Sequence, residues 1–161
     1  MFKVRVKTVV KAKAGIGVVS LGCQKNLTDT ESMLGFLQQA GYWVTPILEE
    51  AGILLVNTCC FVQEATEEAV DTVLELGAHK RKHQKLVVTG CLAQRYGKQL
   101  LEEMPEIDAL VGTFRWEEIA EVCDALLASD YLGEREVRIE NGKPRTPRLS
   151  PPPRVLSQPG P

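Results

Sequence analysis

Short β-branched runs alternate with longer helical segments from Gly15 to Leu127, and this alternation limits the fold more than any other feature. It is typical of a parallel sheet with crossover helices. The strongest runs are near-continuously apolar, as in strands buried on both faces: Ile16 to Leu21, Ile53 to Thr58 and Lys85 to Thr89. Weaker strands are predicted at Tyr42 to Thr45 and Ala109 to Val111. The sequence thus predicts an α/β domain: a flavodoxin-like open parallel sheet of about five strands, flanked by helices in three layers.

Helical periodicity fills the segments between these strands, because apolar residues recur at spacings of three and four. Four helices are predicted. The first is opened by a capping box of Thr28 and Glu31 and stopped by Gly41, and the second runs from about Gln63 to the basic run at 79–83. The third runs through Tyr96 to Pro105, and the fourth is capped by Thr113 and carries Ile119 and Cys123.

The charge and composition are those of an ordinary globular protein. The 161 residues carry a formal net charge of -2, and 25% of them are charged. These values do not indicate a nucleic-acid binder or a disordered chain. No run approaches the roughly 20 apolar residues of a membrane-spanning helix, and the leading segment lacks the apolar stretch of a secretory signal. We therefore expect a cytoplasmic protein with no membrane partner.

Three regions are expected along the chain: a basic extension over residues 1–14, the α/β domain over 15–128, and a linker with a proline-rich tail over 129–161. Six Lys and Arg residues precede Asp29, the first acidic residue. The tail has basic residues as well. These basic ends leave open a metal-free module that docks on RNA or on the ribosome.

A cysteine follows each of the three strongest strands. The carboxyl ends of parallel strands share one edge of the sheet, where such folds bind ligands. In a flavodoxin-like order the first, third and fourth strands are neighbours, about 4.8 Å apart. The thiols of Cys23, Cys59 and Cys91 are therefore expected to converge at this edge.

Three converging thiolates suit an iron–sulfur cluster, whose irons are held by cysteine sulfurs. In a four-iron cubane, three protein ligands leave one iron open to an exchangeable ligand. Gly22 and Gly90 precede two of the cysteines and would allow the backbone to approach closely. Spacing alone also leaves a structural role open, because a free cysteine often behaves as a small buried hydrophobe.

Other chemistries have weaker support in the sequence. A zinc site would need a fourth ligand, and His79 and His83 lie late on a helix, where solvated histidines are common. A thiol enzyme using Cys59 or Cys60 would need a nearby base and a depressed thiol pKa. The side chain of Cys60 is expected to point away from that of Cys59. Cys123 is expected to lie in the core.

At these cysteines the sequence resembles the methylthiotransferases, enzymes that insert sulfur into an unactivated C–H bond and methylate it. The resemblance covers about Gly15 to Leu127 and is carried by three stretches: Ser20 to Leu27 with Asp29 and Glu31, Val56 to Phe61, and Thr89 to Tyr96. The first stretch is most similar to the branch that modifies an aspartate of a small-subunit ribosomal protein. Gln24, however, is frequent in the branch that modifies adenosine in tRNA.

The resemblance implies that Cys23, Cys59 and Cys91 hold one auxiliary [4Fe–4S] cluster that delivers the inserted sulfur. It also implies that Asn26 and Asn57 support the ligands or face the substrate. A small-subunit ribosomal protein is the substrate implied for the complete enzyme, with tRNA as the alternative and no DNA partner.

The chain departs from the family pattern in two respects. Cys60 stands where the family usually has a small residue. Complete members also contain a radical S-adenosylmethionine domain, which holds a second [4Fe–4S] cluster and S-adenosylmethionine, and a small RNA-binding domain; neither is present in these 161 residues. We therefore expect an inactive fragment of the enzyme, without catalytic residues of its own.

Overall fold

The computed structural model describes residues 13–22, 24–113, 115–128 and 136–138. Six strands in this part of the chain form one open sheet, in which all five strand pairs are parallel. The strands are β1 (Gly15–Ser20), β2 (Trp43–Val44), β3 (Ile53–Thr58), β4 (Lys85–Gly90), β5 (Ala109–Gly112) and β6 (Glu136–Arg138). Their order is β2-β1-β3-β4-β5-β6, which is the flavodoxin-like order with one added strand. The predicted α/β class and three-layer arrangement are confirmed.

Helices connect the strands and cover both faces of the sheet. The helices are α1 (Gln24–Gln39), α2 (Gln63–His79), α3 (Cys91–Glu103) and α4 (Ile119–Ala128). Helices α1 and α4 pack on one face, and α2 and α3 pack on the other. Each helix returns the chain from the carboxyl end of one strand to the amino end of the next, as parallel pairing requires.

The first helix begins earlier than the sequence predicts. The hydroxyl of Thr28 donates a hydrogen bond to the carbonyl of Gln24 at 3.1 Å, which is the pattern of a residue inside a helix. The predicted capping box of Thr28 and Glu31 is therefore wrong. The predicted end is confirmed, because Gly41 adopts a φ of +101° and turns the chain out of the helix.

Two features near the end of the described chain also differ from prediction. The hydroxyl of Thr113 is buried without a hydrogen-bond partner, so it does not cap α4; a 3₁₀ turn over Trp116–Glu118 precedes that helix instead. Strand β6 lies within the segment predicted to be linker and tail. It has only three residues, of which Val137 alone is apolar, so its sequence carries no periodic strand signal.

The two central strands, β3 and β4, anchor the core. Side chains alternate between the faces of β3: Leu54 and Val56 pack towards α2 and α3, whereas Ile53 and Leu55 pack towards α1 and α4. All four are at most 3% exposed. Burying a side chain of this size contributes roughly 1.5–3 kcal/mol. The centre of the sheet is thus a firm base for the loops at its carboxyl edge.

None of the helices within the described ranges is both long and apolar enough to cross a membrane. The basic segment over residues 1–12 and the proline-rich segment over 139–161 lie outside the described residues. The proposed RNA contacts of these ends therefore stay predictions.

Candidate metal centre

The carboxyl ends of β1, β3 and β4 lie side by side. Ser20 pairs with Asn57, and Asn57 pairs in turn with Thr89, so the three strands end at nearly the same level. Cys59 follows β3 directly, and Cys91 is the first residue of α3. The predicted neighbourhood of the first, third and fourth strands is confirmed. Cys23 lies outside the described residues.

Cys59 is buried, with 6% of its surface exposed, against the backbone of Gly22. Gly22 adopts a φ of +95°, a conformation that residues with a Cβ rarely take. A Cβ at this position would lie 2.5 Å from the Cβ of Cys59 and 3.1 Å from its Sγ. A glycine is therefore required here, and the residue directly before Cys23 in the sequence contacts Cys59.

Gly90 has the same role beside Cys91. Its φ is +93°, and an added Cβ would lie 2.5 Å from Oδ1 of Asn57 and 2.8 Å from the backbone nitrogen of Thr58. The chain can therefore pass from β4 into α3 only because this position has no side chain. The predicted close approach of the backbone to a cysteine sulfur is seen at Gly22, whereas the close neighbours of Gly90 are Asn57 and Thr58.

An open cleft of about 470 Å³ lies beside Cys59. It is lined by Gly22, Cys59, Phe61, Val62 and Ala65. Phe61 is 91% exposed at its rim. The cleft is mostly apolar and open to solvent, so it leaves room for a bulky group beside Cys59.

The thiol of Cys60 faces different neighbours from that of Cys59. It packs in the apolar layer beneath α2 and α3, close to Cys91 and to the side chain of Arg95. Burial and the neighbouring Cys91 raise the pKa of Cys60, although Arg95 acts in the opposite direction. A nucleophilic thiol needs a depressed pKa, so this environment disfavours Cys60 as the nucleophile of a thiol enzyme.

The remaining cysteine and the two histidines lie away from this edge. Cys123 is fully buried on the face covered by α1 and α4, as predicted, and burial raises its pKa to about 12. His79 and His83 are exposed. They lie between the end of α2 and the start of β4, at the opposite edge of the sheet, so they cannot complete a zinc site with Cys59 or Cys91.

In the described ranges, no three Cys, His, Asp or Glu side chains lie close enough together to hold a metal ion. Two of the three predicted ligands, Cys59 and Cys91, are in those ranges. The third, Cys23, is not, so the complete three-cysteine site stays a prediction.

A buried polar network lies directly beneath the cysteine loops. Asn26, Asn57, Thr30 and Thr58 are each at most 3% exposed, and they are bonded to one another and to the neighbouring backbone. Asn26 and Asn57 are the two asparagines that the family resemblance singles out. Thr30 and Thr58 were not predicted. The available signal was that Asn57 and Thr58 are polar residues at the end of an otherwise apolar, fully buried strand.

Comparison with known proteins gives consistent matches. Residues 15–112 match the uncharacterized protein family UPF0004. The chain is 50% identical over 119 residues to the ribosomal protein uS12 methylthiotransferase RimO of Symbiobacterium thermophilum, an alignment that covers 73% of this chain and 24% of that protein. It is 43% identical over 151 residues to the protein of the same name from Trichlorobacter lovleyi, covering 92% of this chain and 32% of that protein.

A third relative of that name, from Pelotomaculum thermopropionicum, is 53% identical over 107 residues, which cover 65% of this chain and 24% of the relative. The aligned part of this chain thus spans about a quarter to a third of the length of these curated relatives.

Proposed function

Because the chain belongs to the UPF0004 family and is an amino-terminal methylthiotransferase domain, we propose that it binds one auxiliary [4Fe–4S] cluster through Cys23, Cys59 and Cys91. The proposed domain extends over residues 15–128. In the complete enzyme this cluster supplies the sulfur that is inserted into the substrate C–H bond. The chain by itself holds the cluster and does not catalyse the transfer.

The position of the cysteine loops is the observation that carries this proposal. Cys59 and Cys91 follow adjacent parallel strands, and Gly22, which precedes Cys23, packs directly on Cys59. Thiolates are the ligands that iron–sulfur clusters require. The glycine cradle and the open cleft beside Cys59 also suit a bulky group that approaches the backbone closely. Donor chemistry and local shape therefore both fit a cluster.

The residues around the thiols have separate tasks in this proposal. Cys59 lies on the cleft and is the ligand of its pair, whereas Cys60 lies in the core beside Arg95. Phe61 and Val62 extend the apolar wall of the cleft beside the proposed group. Three ligands would leave one iron free of protein ligands, and that iron is where an exchangeable sulfur species would bind.

The proposed substrate of the complete enzyme is ribosomal protein uS12. The relatives described above carry that substrate in their names, which favours the ribosomal protein over tRNA. Since this substrate is part of the ribosome, the proposed place of action is the cytoplasm.

Anaerobic reconstitution with iron and sulfide tests the cluster proposal. We expect about four irons and four sulfides per chain, and single replacement of Cys23, Cys59 or Cys91 by alanine should abolish loading. Cys123→Ala is the matched control, because this thiol is fully buried in the core beneath α1 and α4 and its variant should load normally. Full loading of the Cys59→Ala variant would contradict the proposed ligand set.

A second experiment distinguishes the metal-free alternative. If the chain is an RNA-docking module, the metal-free protein should bind ribosomal RNA or tRNA with an affinity that falls steeply with salt. We expect no such binding. We also expect no methylthiolation of uS12 by the reconstituted chain alone with S-adenosylmethionine and a reductant, as measured by mass spectrometry.

A further inference from the structure

Two buried side chains, Asn26 and Thr58, tie together the ends of β1, β3 and β4, the strands that the three cysteines follow in the sequence. We propose that they form a polar clamp that sets the separation of Cys23, Cys59 and Cys91. The clamp rests on the proposed function, since it is a positioning device for the cluster ligands. Neither residue is proposed to bind iron.

Asn26 provides the link between the first two loops. Its Nδ2 donates one hydrogen bond to the carbonyl of Leu21 at 2.8 Å and another to the carbonyl of Thr58 at 2.7 Å. Leu21 lies two residues before Cys23, and Thr58 lies one residue before Cys59. An amide group has two donor hydrogens, and this one uses both. One side chain thus joins the end of β1 to the end of β3.

Thr58 provides the link to the third loop. Its hydroxyl donates to the carbonyl of Thr89 at 2.5 Å and accepts a hydrogen bond from the backbone N–H of Leu92 at 3.2 Å. These two partners lie on either side of Cys91 in the sequence. Thr58 is fully buried, so no water competes for its hydroxyl. The hydroxyl therefore fixes the turn that carries Cys91.

Asn57 and Thr30 hold Asn26 in place. The Nδ2 of Asn57 donates to the backbone carbonyl of Asn26 and to the hydroxyl of Thr30, both at 2.9 Å. The Thr30 hydroxyl donates in turn to the same Asn26 carbonyl at 2.8 Å. The first turn of α1 is therefore fixed to β3, and the Asn26 amide is held towards the two carbonyls.

The clamp begins where the backbone ladder of the sheet ends. Between β1 and β3, the last strand-to-strand bond is from the N–H of Leu21 to the carbonyl of Asn57. Between β3 and β4, the ladder ends where Thr58 pairs with Gly90. Past these points the chain turns out of the sheet towards the cysteines, and the bonds of Asn26 and Thr58 continue the cross-linking.

Replacement of Thr58 by valine tests the clamp, because valine has nearly the same shape and lacks the hydroxyl. Thr45→Val is the matched control. Thr45 is buried as well, with 3% of its surface exposed, and lies directly after β2. Its hydroxyl bonds within its own turn, to Ile47, and no cysteine follows it. Thr58→Ser keeps the hydroxyl and should restore the wild-type behaviour.

The measurement is the rate at which reconstituted protein loses iron to a ferrous chelator, at a temperature where circular dichroism shows all variants folded. Loss of support behind metal ligands typically costs about 10–100-fold in metal affinity. We therefore expect Thr58→Val to release iron at least about tenfold faster than wild type. Thr58→Ser and Thr45→Val should stay within about twofold. The spectrum of the reduced cluster should change in Thr58→Val alone.

Three outcomes separate the two proposals. If wild type loads iron and Thr58→Val releases it at the wild-type rate with an unchanged spectrum, the clamp is wrong and the cluster proposal stands. If wild type fails to load iron, the proposed function is wrong and the clamp falls with it. If Thr58→Val does not fold, Asn26→Ala replaces it in the same measurement with the same expected acceleration.

Discussion

Replacing Gly90 by alanine perturbs the site from the backbone side. The backbone of Gly90, with φ of +93° and ψ of -163°, lies in a region that only glycine occupies readily. An alanine Cβ would also overlap the backbone of Thr58 and the side chain of Asn57, neither of which can move without disturbing β3. Alanine would thus add backbone strain and steric overlap together.

Gly41→Ala separates these two effects. Gly41 has a similar φ of +101°, but its nearest neighbour would be the flexible side chain of Lys13, at an ordinary contact distance of 3.7 Å. Backbone strain costs about 1–3 kcal/mol at either position. Overpacking against fixed atoms adds about 1–3 kcal/mol at Gly90 alone. The expected loss of unfolding free energy is therefore roughly 2–6 kcal/mol for Gly90→Ala, against roughly 1–3 kcal/mol for Gly41→Ala.

Urea unfolding of the metal-free proteins, followed by circular dichroism, measures both losses. Iron loading of the two variants then shows whether the site is affected. We expect Gly90→Ala to load poorly at a temperature where it is folded, and Gly41→Ala to load fully. If both variants lost the same free energy and loaded equally, the contact of Gly90 with Thr58 would have no part in the site.

Further predictions concern single contacts. Cys60→Ala should load iron normally, because this thiol packs in the core; a loss of loading would identify Cys60 as a ligand. Asp108→Ala should lower the unfolding free energy measured in urea by about 1–3 kcal/mol, because the carboxylate of Asp108 accepts hydrogen bonds from Lys80 and from the N–H of Leu86. An unchanged unfolding free energy would contradict the role of these hydrogen bonds. Burial raises the pKa of Cys123 from 9.0 to about 12, so this thiol ionises in the unfolded chain first and the unfolding free energy should fall between pH 9 and pH 12. Thermal unfolding of Cys123→Ala should show a smaller fall, and an unchanged dependence of stability on pH would refute this prediction.

The strongest strands were predictable from local sequence. The predicted strand Ile53 to Thr58 coincides with β3, and the strands predicted for β1 and β4 differ by a single residue at their ends. Near-continuous apolar runs have one good arrangement, which is burial on both faces of a sheet. The positions of Cys59 and Cys91 follow from these runs, because each lies directly after a strand.

The start of α1 and the links between the loops were not predictable in this way. A capping box is a local pattern, whereas α1 extends back to Gln24 because the contacts of Asn26 with β1 and β3 favour it. The bond from Asn26 to Thr58 spans 32 residues, and the bond from Thr58 to Thr89 spans 31. No periodicity or turn rule relates residues so far apart. Such contacts depend on the completed sheet.

The long sequence separation of these bonds has a consequence for how the protein matures. The three predicted cysteine ligands span 69 positions, from 23 to 91. Strand β3 pairs with β1 on one side and gains its second neighbour only when β4 pairs with it. A growing polypeptide would therefore bring the three proposed ligands together only after its ninety-first residue has emerged and the middle of the sheet has formed. If the proposed cluster binds, its binding cannot start the folding of this sheet. Insertion of the proposed cluster would then be a late event, on a sheet that is already held together by its own packing.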